Sequence, residues 1–129
     1  MAITVRETMS SSVHSIGVDQ TLDVAHEMMR KHGIRHLPVL RAGSIVGVVS
    51  DRDLRFVEAL SDMEPARTRV EEAMSTDIYA VGPNDLLADV ASTMAEHKYG
   101  SAVVMNAGKV VGMLTTVDLC RALARLLRA

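Results

Sequence analysis

Apolar residues recur with helical spacing in two long segments of the chain. The intervals are three, four and three residues in both segments, which places these side chains on one face of a helix. The positions are Leu22, Ala25, Met29 and His32 in the first segment and Leu87, Val90, Met94 and His97 in the second. The spacing therefore predicts two amphipathic helices. Thr21 or Asp19 is expected to cap the first, and Asn84 or Asp85 the second.

Shorter apolar runs, bounded by glycine, proline and polar residues, surround these helices and predict strands. The predicted strands cover residues 13–16, 36–40 and 45–49 in the first half and 78–81, 101–105 and 110–114 in the second. A short helical turn precedes each set, and a final helix closes it, at residues 5–9 with 51–60 and at residues 70–74 with 116–127. The order of elements is thus β-α-β-β-α, and it occurs twice.

A shift of 65 residues superimposes the two halves without an insertion or deletion. The phrase Gly47-Val-Val-Ser-Asp-Arg-Asp53 returns as Gly112-Met-Leu-Thr-Thr-Val-Asp118, and other positions also coincide, among them Met9/Met74, Ser10/Ser75, His32/His97 and Leu54/Leu119. The period is too long for solenoid repeats of about 20–50 residues. We therefore expect an α+β protein of two repeats related by a pseudo-twofold axis, with repeat 1 at residues 1–60, a linker at 61–69 and repeat 2 at 70–129.

Composition narrows the classes of function. The 129 residues are 48% hydrophobic with a net charge of -2, and the aromatic residues are Phe56, Tyr79 and Tyr99. Such a chain lacks the aromatic platforms and basic excess that nucleic-acid-binding domains use. No segment approaches the roughly 20 apolar residues of a membrane span. We expect a cytoplasmic protein without membrane insertion, in which the single Cys120 is a buried, small apolar side chain.

The repeated phrase carries the polar residues best suited to hold a ligand. Ser50 and Thr115 end apolar runs where a helix begins, so backbone N–H groups there could accept an anion. Asp53 and Asp118, three residues later, could accept hydrogen bonds from both hydroxyls of a ribose. The same spacing also fits a capping box, which satisfies the helix end, and the residues alone leave both roles open. The glycine that opens each copy indicates a close approach of backbone or ligand.

Several motifs together resemble a known family. The two phrases share a GhhSxxD or GhhTxxD pattern, GIRHLPV precedes the first, and each leading turn ends in Met-Ser. In this combination they resemble the cystathionine-β-synthase (CBS) domain, which occurs in tandem as a Bateman module, and the resemblance covers essentially the whole chain. GVVSDRDLRF is also similar to the regulatory insert of inosine-monophosphate dehydrogenases, although this chain is too short to supply a catalytic barrel. A stand-alone CBS domain protein is therefore expected.

The resemblance implies a nucleotide in the cleft between the repeats, with the aspartates on the ribose. The expected ribose-binding residues are Ser50, Asp53, Thr115 and Asp118, the phosphate-binding residues Arg52, Arg35 and His36, and the base-binding residues Val13, Leu37, Pro38 and Ile78. The positions equivalent to Arg35 and His36 in repeat 2 hold Gly100 and Ser101, which are too small to reach a phosphate. We therefore expect the two copies to bind phosphate unequally.

The expected function is that of a sensor for AMP, ADP or ATP, to which a magnesium ion could remain attached. Ligand occupancy would pass to an unknown effector enzyme or transporter through the packing of a homodimer. The apolar face of the last helix is wider than one small unit needs, which favours such a dimer. A ligand-free dimerisation or docking scaffold and a site for S-adenosylmethionine are the alternatives. No nucleophile, acid–base pair or metal cluster indicates an enzyme.

The histidines do not form a metal motif. His32 and His36 have the i, i+4 spacing of a helical zinc pair, but Gly33 and Pro38 break the helix that such a pair needs. His32 and its equivalent His97 end apolar helix faces, so a structural role is expected for both. No metal held by protein ligands alone is expected.

Overall fold

The structure, a computed structural model, describes residues 2–60 and 63–129. Within these residues it contains four α-helices and two three-stranded sheets, which confirms the α+β class. The chain forms two compact units. His14–Ile78 make up the first unit, and the residues up to Val13 together with Tyr79–Ala129 make up the second. The first two residues of the expected linker, 61 and 62, lie outside the described residues.

The first unit is built on a three-stranded sheet. Its elements are β1 (Ile16–Gly17), α1 (Leu22–His32), β2 (His36–Arg41), β3 (Ser44–Ser50), α2 (Asp51–Glu58) and a 3-10 turn at Val70–Glu72. The strand order is β1-β2-β3, with β1 parallel to β2 and an antiparallel hairpin of β2 and β3. Apolar side chains of the helices and strands fill one core, whose fully buried members include Leu22, Leu37, Val49 and Leu54.

The second unit has the same plan. Its elements are a 3-10 turn at Val5–Glu7, β4 (Ala80–Val81), α3 (Leu87–His97), β5 (Ser101–Asn106), β6 (Lys109–Thr115) and α4 (Thr116–Arg128). β4 runs parallel to β5, and β5 and β6 form an antiparallel hairpin. The core of this unit includes Val5, Met94, Val104 and Leu114. Two copies of one topology are therefore present, as the sequence repeat predicts.

Each unit takes its 3-10 turn from the other half of the sequence. Ser75, just after the second turn, exchanges two backbone hydrogen bonds of 2.9 Å with Val48 of β3. Ser10, just after the first turn, makes the equivalent pair of bonds, 2.9 and 3.0 Å, with Met113 of β6. The compact units therefore do not coincide with the repeats as they follow one another along the chain.

Gly47 and Gly112 allow the segments that follow the 3-10 turns to pass close to β3 and β6. A Cβ atom on Gly47 would lie 2.7 Å from the Met74 sulfur and 2.8 Å from the Ser75 carbonyl oxygen. The equivalent Cβ on Gly112 would lie 2.6 Å from a methionine sulfur and 2.9 Å from the Ser10 carbonyl oxygen. Only glycine leaves room for the crossing segment. The close approach expected at these glycines is therefore an approach of the protein's own backbone.

The first N–H group of α1 and that of α3 each donate a hydrogen bond to a backbone carbonyl from a distant part of the sequence. The Leu22 N–H donates to the Thr68 carbonyl at 2.9 Å, and the Leu87 N–H donates to the Ile3 carbonyl at 2.8 Å. These contacts satisfy donors that a helix start otherwise leaves unpaired. The segment that supplies each carbonyl also contains the 3-10 turn of that unit, so the turns and the helix starts are held by the same stretch of chain.

The predicted capping residues are only partly right. Thr21 stands at the N-cap of α1, as one of the two predictions had it, but its side chain makes no capping bond. Leu86 stands at the N-cap of α3, so the prediction of Asn84 or Asp85 is wrong. The Asp85 carboxylate instead accepts the Gly82 N–H at 2.8 Å, and the backbone contact at Leu87 removes the need for a capping side chain.

The first strand of each unit is shorter than its apolar run. β1 and β4 hold two residues each, whereas runs of four were predicted at 13–16 and 78–81, because only two residues in each pair with the neighbouring strand. Val13 and Ile78 are half-buried and lie outside any strand. The hairpin strands extend the predicted ones by one residue at one or both ends, and α2 ends at Glu58, two residues before its predicted end.

Methionine contributes to both cores. Met29 and Met94 are 5% and 2% exposed, which confirms that they belong to the apolar faces of α1 and α3. The prediction for Cys120 is wrong, because its side chain is exposed and the buried residue of α4 is Ala122. Its repeat equivalent Arg55 is exposed as well. None of the described helices has the length and apolar character needed to cross a membrane.

Candidate functional site

The β2–β3 hairpin brings the predicted site residues of the first unit together. His36, at the start of β2, is paired with Ser50, at the end of β3. The Asp51 N–H, at the start of α2, donates to the Arg35 carbonyl at 2.9 Å. The start of β2 and the first turn of α2 therefore meet at one end of the sheet. We call this cluster the first-unit site, and it consists of Arg35, His36, Ser50, Arg52 and Asp53.

The second unit repeats this geometry with different side chains. Ser101 is paired with Thr115, and the Thr116 N–H donates to the Gly100 carbonyl at 3.2 Å. Val117 stands at the position equivalent to Arg52 and is 51% exposed. The second-unit site, which consists of Gly100, Ser101, Thr115, Val117 and Asp118, therefore keeps the hydroxyl and the carboxylate but has no counterpart of Arg35, His36 or Arg52.

Ser50 and Asp53 form a reciprocal capping box. The Ser50 N–H donates to Asp53 Oδ2 at 2.9 Å, and the Asp53 N–H donates to Ser50 Oγ at 3.0 Å. This arrangement satisfies two donors at the start of α2. It uses one carboxylate oxygen, and Oδ1 of Asp53 makes no hydrogen bond within the described part of the chain. The capping role is confirmed, and one oxygen remains for a ligand hydroxyl.

Thr115 and Asp118 form the same box with longer contacts. Asp118 Oδ2 accepts the Thr115 N–H at 2.9 Å and the Thr115 hydroxyl at 3.2 Å, while the Asp118 N–H donates to Thr115 Oγ1 at 3.4 Å. The Oδ1 atom of Asp118 lies 3.9 Å from Arg121 Nη1. That arginine is largely exposed, so the ion pair is weak and a ligand could displace it.

The start of α2 does not present an open row of N–H groups. The Asp51 N–H is bonded to the Arg35 carbonyl and the Asp53 N–H to the Ser50 hydroxyl. A phosphate here must therefore depend largely on side chains. Arg35 and Arg52 are exposed and make no ion pair among the described residues, whereas His36 is half-buried.

The expected base-binding residues divide between the units. Leu37 and Pro38 are fully buried in the first unit, and Leu37 belongs to its core. Pro38 is paired with Val48 and, by strand alternation, lies on the opposite face of the sheet from Leu37. Ile78 belongs to the same unit as Ser50, while Val13 belongs to the second unit, with Thr115. These contacts with a base remain predictions.

Two clusters of rings were missed by sequence reasoning. In the first unit His14 stacks on His32, with centroids 3.5 Å apart and planes at 12°. In the second, Tyr99 lies 5.2 Å from both Tyr79 and His97. Tyr79 and His97 are the repeat equivalents of His14 and His32. The recurrence of ring-bearing residues at both positions was the signal available in the sequence.

The surroundings of His32 disfavour its protonated form. Partial desolvation, the neighbouring His14 and then Lys31 each disfavour a positive charge on His32 and lower its pKa below the usual value of 6.5. Its ring is therefore more readily kept neutral in the folded protein. Within residues 2–60 and 63–129 there is no group of three or more side chains that could hold a metal ion.

Comparison with known proteins gives the following similarities. The CBS domain model matches residues 5–59 and 70–125. The CBS domain-containing protein YhcV of Bacillus subtilis is 29% identical over 89% of this chain and 81% of its own length. The structure of CBSX2 in complex with AMP has a TM-score of 0.81 and 26% identity, over 95% of this chain and 97% of that one.

A second solved structure shows the same fold at lower identity. The CBS domain pair of protein MJ0100, in complex with 5-methylthioadenosine and S-adenosyl-L-methionine, has a TM-score of 0.84 and 21% identity over 96% of this chain and 98% of its own. The matched segments cover both copies of the repeated phrase and both capping boxes. The chain therefore belongs to the CBS domain family, as a tandem pair of CBS domains.

Proposed function

We propose that this protein is a regulatory module that binds an adenine nucleotide, AMP, ADP or ATP, and signals its occupancy to a partner. One observation carries the proposal: the hairpin register gathers two arginines, a histidine, a hydroxyl and a carboxylate into the first-unit site. That set matches a ligand with both a sugar and a phosphate. The AMP held by the similar protein CBSX2 supports the adenine nucleotide as the ligand class.

Each group at the first-unit site has a distinct role in the proposal. Asp53 accepts ribose hydroxyls through Oδ1, because Oδ2 is held by the capping box. Arg35 and Arg52 donate to phosphate oxygens through charge-assisted hydrogen bonds, which are stronger than neutral ones. His36 adds a further donor at the start of β2. Magnesium could accompany a polyphosphate ligand without a dedicated protein site.

The two sites differ in their side chains, and this difference predicts which of them prefers a ligand with a phosphate. The second-unit site has Thr115 and Asp118 for a ribose, but its other positions hold Gly100, Ser101 and Val117. A phosphate there would lack the counterparts of Arg35 and Arg52, although Arg121 lies near Asp118. We therefore assign the phosphate-bearing ligand to the first-unit site. S-adenosylmethionine, which has no phosphate, is the second candidate ligand and would not depend on the arginines.

We propose that occupancy is transmitted through a homodimer. Helix α4 exposes a broad set of apolar side chains, namely Val117, Leu123, Leu126 and Leu127. A large exposed apolar patch on a soluble protein is a common mark of a protein–protein interface. A nucleotide can act through the dimer only if it binds two packings with different affinity. The effector would be an enzyme or transporter that distinguishes these packings, and the module itself would not be catalytic.

Calorimetric titration with AMP, ADP, ATP and S-adenosylmethionine tests the proposal. We expect binding of the phosphate-bearing ligands, and about tenfold weaker binding after Asp53→Asn, which alters the ribose acceptor. Glu72→Gln is the matched control, because Glu72 accepts the Arg69 N–H at 3.0 Å in another capping interaction of the same unit. Absence of binding by all four compounds would favour the ligand-free scaffold.

A further inference from the structure

The first unit carries a groove outside the first-unit site. It lies between the C-terminal end of α1, the loop that follows it and α2, and has a volume of about 580 Å³. Its lining residues are His26, Met29, Arg30, Gly33, Ile34, Arg35, Asp51 and Arg55. A volume of this size falls within the range of about 300–1,000 Å³ that is typical of small-molecule sites.

Three arginines reach the groove from three different elements. Arg30 comes from α1, Arg35 from the following loop and Arg55 from α2, while Asp51 is the single acidic residue of the lining. The start of α2 and the end of α1 both lie at this groove, so their opposed helix dipoles largely offset each other. Within the lining the three arginines outnumber the single carboxylate, and this excess of positive charge favours an anion.

The arginines keep donors available for a ligand. Arg55 bonds to Asp51 Oδ2 through Nε at 2.9 Å, which leaves its two terminal nitrogens. Arg30 pairs with Glu27 of the same helix through one terminal nitrogen. Both arginines are more than three-quarters exposed, and such ion pairs contribute little and are readily exchanged. Arg35 makes no ion pair among the described residues.

The groove lining also has an apolar part. Met29 is buried in the core of the unit, Ile34 packs against that core, and Gly33 adds no side chain. An anion that also carries an apolar group could thus pair its charge with the arginines and place its apolar part on Met29 and Ile34. A fully hydrated inorganic ion would use only the first of these features.

We propose that this groove binds a small organic phosphate, with the phosphate on Arg30 and Arg55 and an apolar group on Met29 and Ile34. The groove does not include Ser50, Arg52 or Asp53, so it differs from the first-unit site, and Arg35 is the residue common to both. The proposal goes beyond the nucleotide site and does not require it. A second small molecule could thereby modulate the same unit.

Phenyl phosphate is a suitable probe, followed by NMR of the methionine and isoleucine methyl groups in the full chain. We expect saturable shifts of the Met29 and Ile34 methyl signals, and dissociation constants raised about tenfold by Arg30→Gln or Arg55→Gln. Arg125→Gln on α4 removes the same charge from the other unit and is expected to leave the affinity unchanged. The titration is repeated with AMP present, so that binding at the groove is distinguished from binding at the first-unit site.

The outcomes decide between the possibilities. Shifts that persist with AMP and weaken only in the groove variants support the site, whether or not AMP itself binds. Absence of shifts at Met29 and Ile34 would overturn it, as would equal weakening by Arg125→Gln, which would indicate a general response to charge. Loss of the shifts in Asp53→Asn, with the groove variants unaffected, would assign the probe to the first-unit site and also overturn the proposal.

Discussion

Gly33 and Lys98 occupy the same left-handed backbone conformation at the ends of equivalent helices. Their φ angles are 63° and 60°, and each N–H returns to the last turn of α1 or α3. Glycine adopts this conformation without steric cost, whereas a residue with a Cβ atom does so at a cost of about 1 kcal/mol. The second unit therefore carries a local strain that the first unit lacks.

Replacement of Lys98 by glycine should relieve this strain. We expect Lys98→Gly to raise the free energy of unfolding by about 0.5–1 kcal/mol, because part of the gain is lost to the greater freedom of glycine in the unfolded chain. Gly33→Lys should lower it by a similar amount. Urea unfolding of both variants measures the change, and equal stability of Lys98→Gly and the wild type would refute the strain.

The glycines beneath the crossing segments should not tolerate a methyl group. We expect Gly112→Ala to lower the free energy of unfolding by about 2 kcal/mol or more, because the new Cβ meets the Ser10 carbonyl, which is backbone and cannot turn away. Gly82→Ala is the control, since its nearest atoms would lie at 3.5 Å. Thermal unfolding that is equally affected by both substitutions would contradict this account.

The capping boxes should contribute to stability independently of any ligand. We expect Ser50→Ala to lower the free energy of unfolding by about 1 kcal/mol, and Thr115→Ala by less, because the Thr115 cap contact is 3.4 Å against 3.0 Å at Ser50. The measurement is denaturant unfolding without nucleotide. A larger loss at Thr115 would show that the contact lengths do not govern the capping energy.

Desolvation of His32, together with the nearby His14 and Lys31, should make the stability of the fold depend on pH. The pKa of His32 is lowered in the folded protein, so the unfolded chain binds the proton more readily. The contribution of His32 to the free energy of unfolding is therefore fully present above about pH 6.5 and is lost as the pH falls below that value. We expect His32→Gln to flatten the decline in stability between about pH 7 and pH 5. Unfolding curves with the same pH dependence in both proteins would exclude the effect.

The exposed face of α4 should control the oligomeric state. We expect Leu123→Glu combined with Leu127→Glu to convert the proposed dimer to a monomer with an unchanged circular dichroism spectrum, because charges replace side chains that are 55% and 77% exposed. Leu86→Glu, at an exposed apolar position outside α4, is the control. Sedimentation velocity measures the mass, and a dimer that persists in the double variant would place the interface elsewhere.

Much of the fold was predictable because the sequence repeat shows the apolar pattern of each element twice. The hairpin strands and the four helices follow from apolar spacing, and the first-unit site follows from Ser50 and Asp53 next to a helix start. The N-terminal cap of α3 was not predictable, because the Leu87 N–H donates to the backbone carbonyl of Ile3, which is far away in sequence. The groove also depends on the packing of α1 against α2, which no local pattern reveals.

The exchanged 3-10 turns have a consequence for how such a chain could arise. Cutting at the sequence repeat would leave β6 without Ser10 and α3 without Ile3, so residues 70–129 alone could not rebuild the second unit. A polypeptide with one repeat could make the same contacts only by lending its leading segment to another copy. The covalent link between the repeats thus keeps within one molecule an exchange of segments that separate one-repeat chains would make as a domain swap.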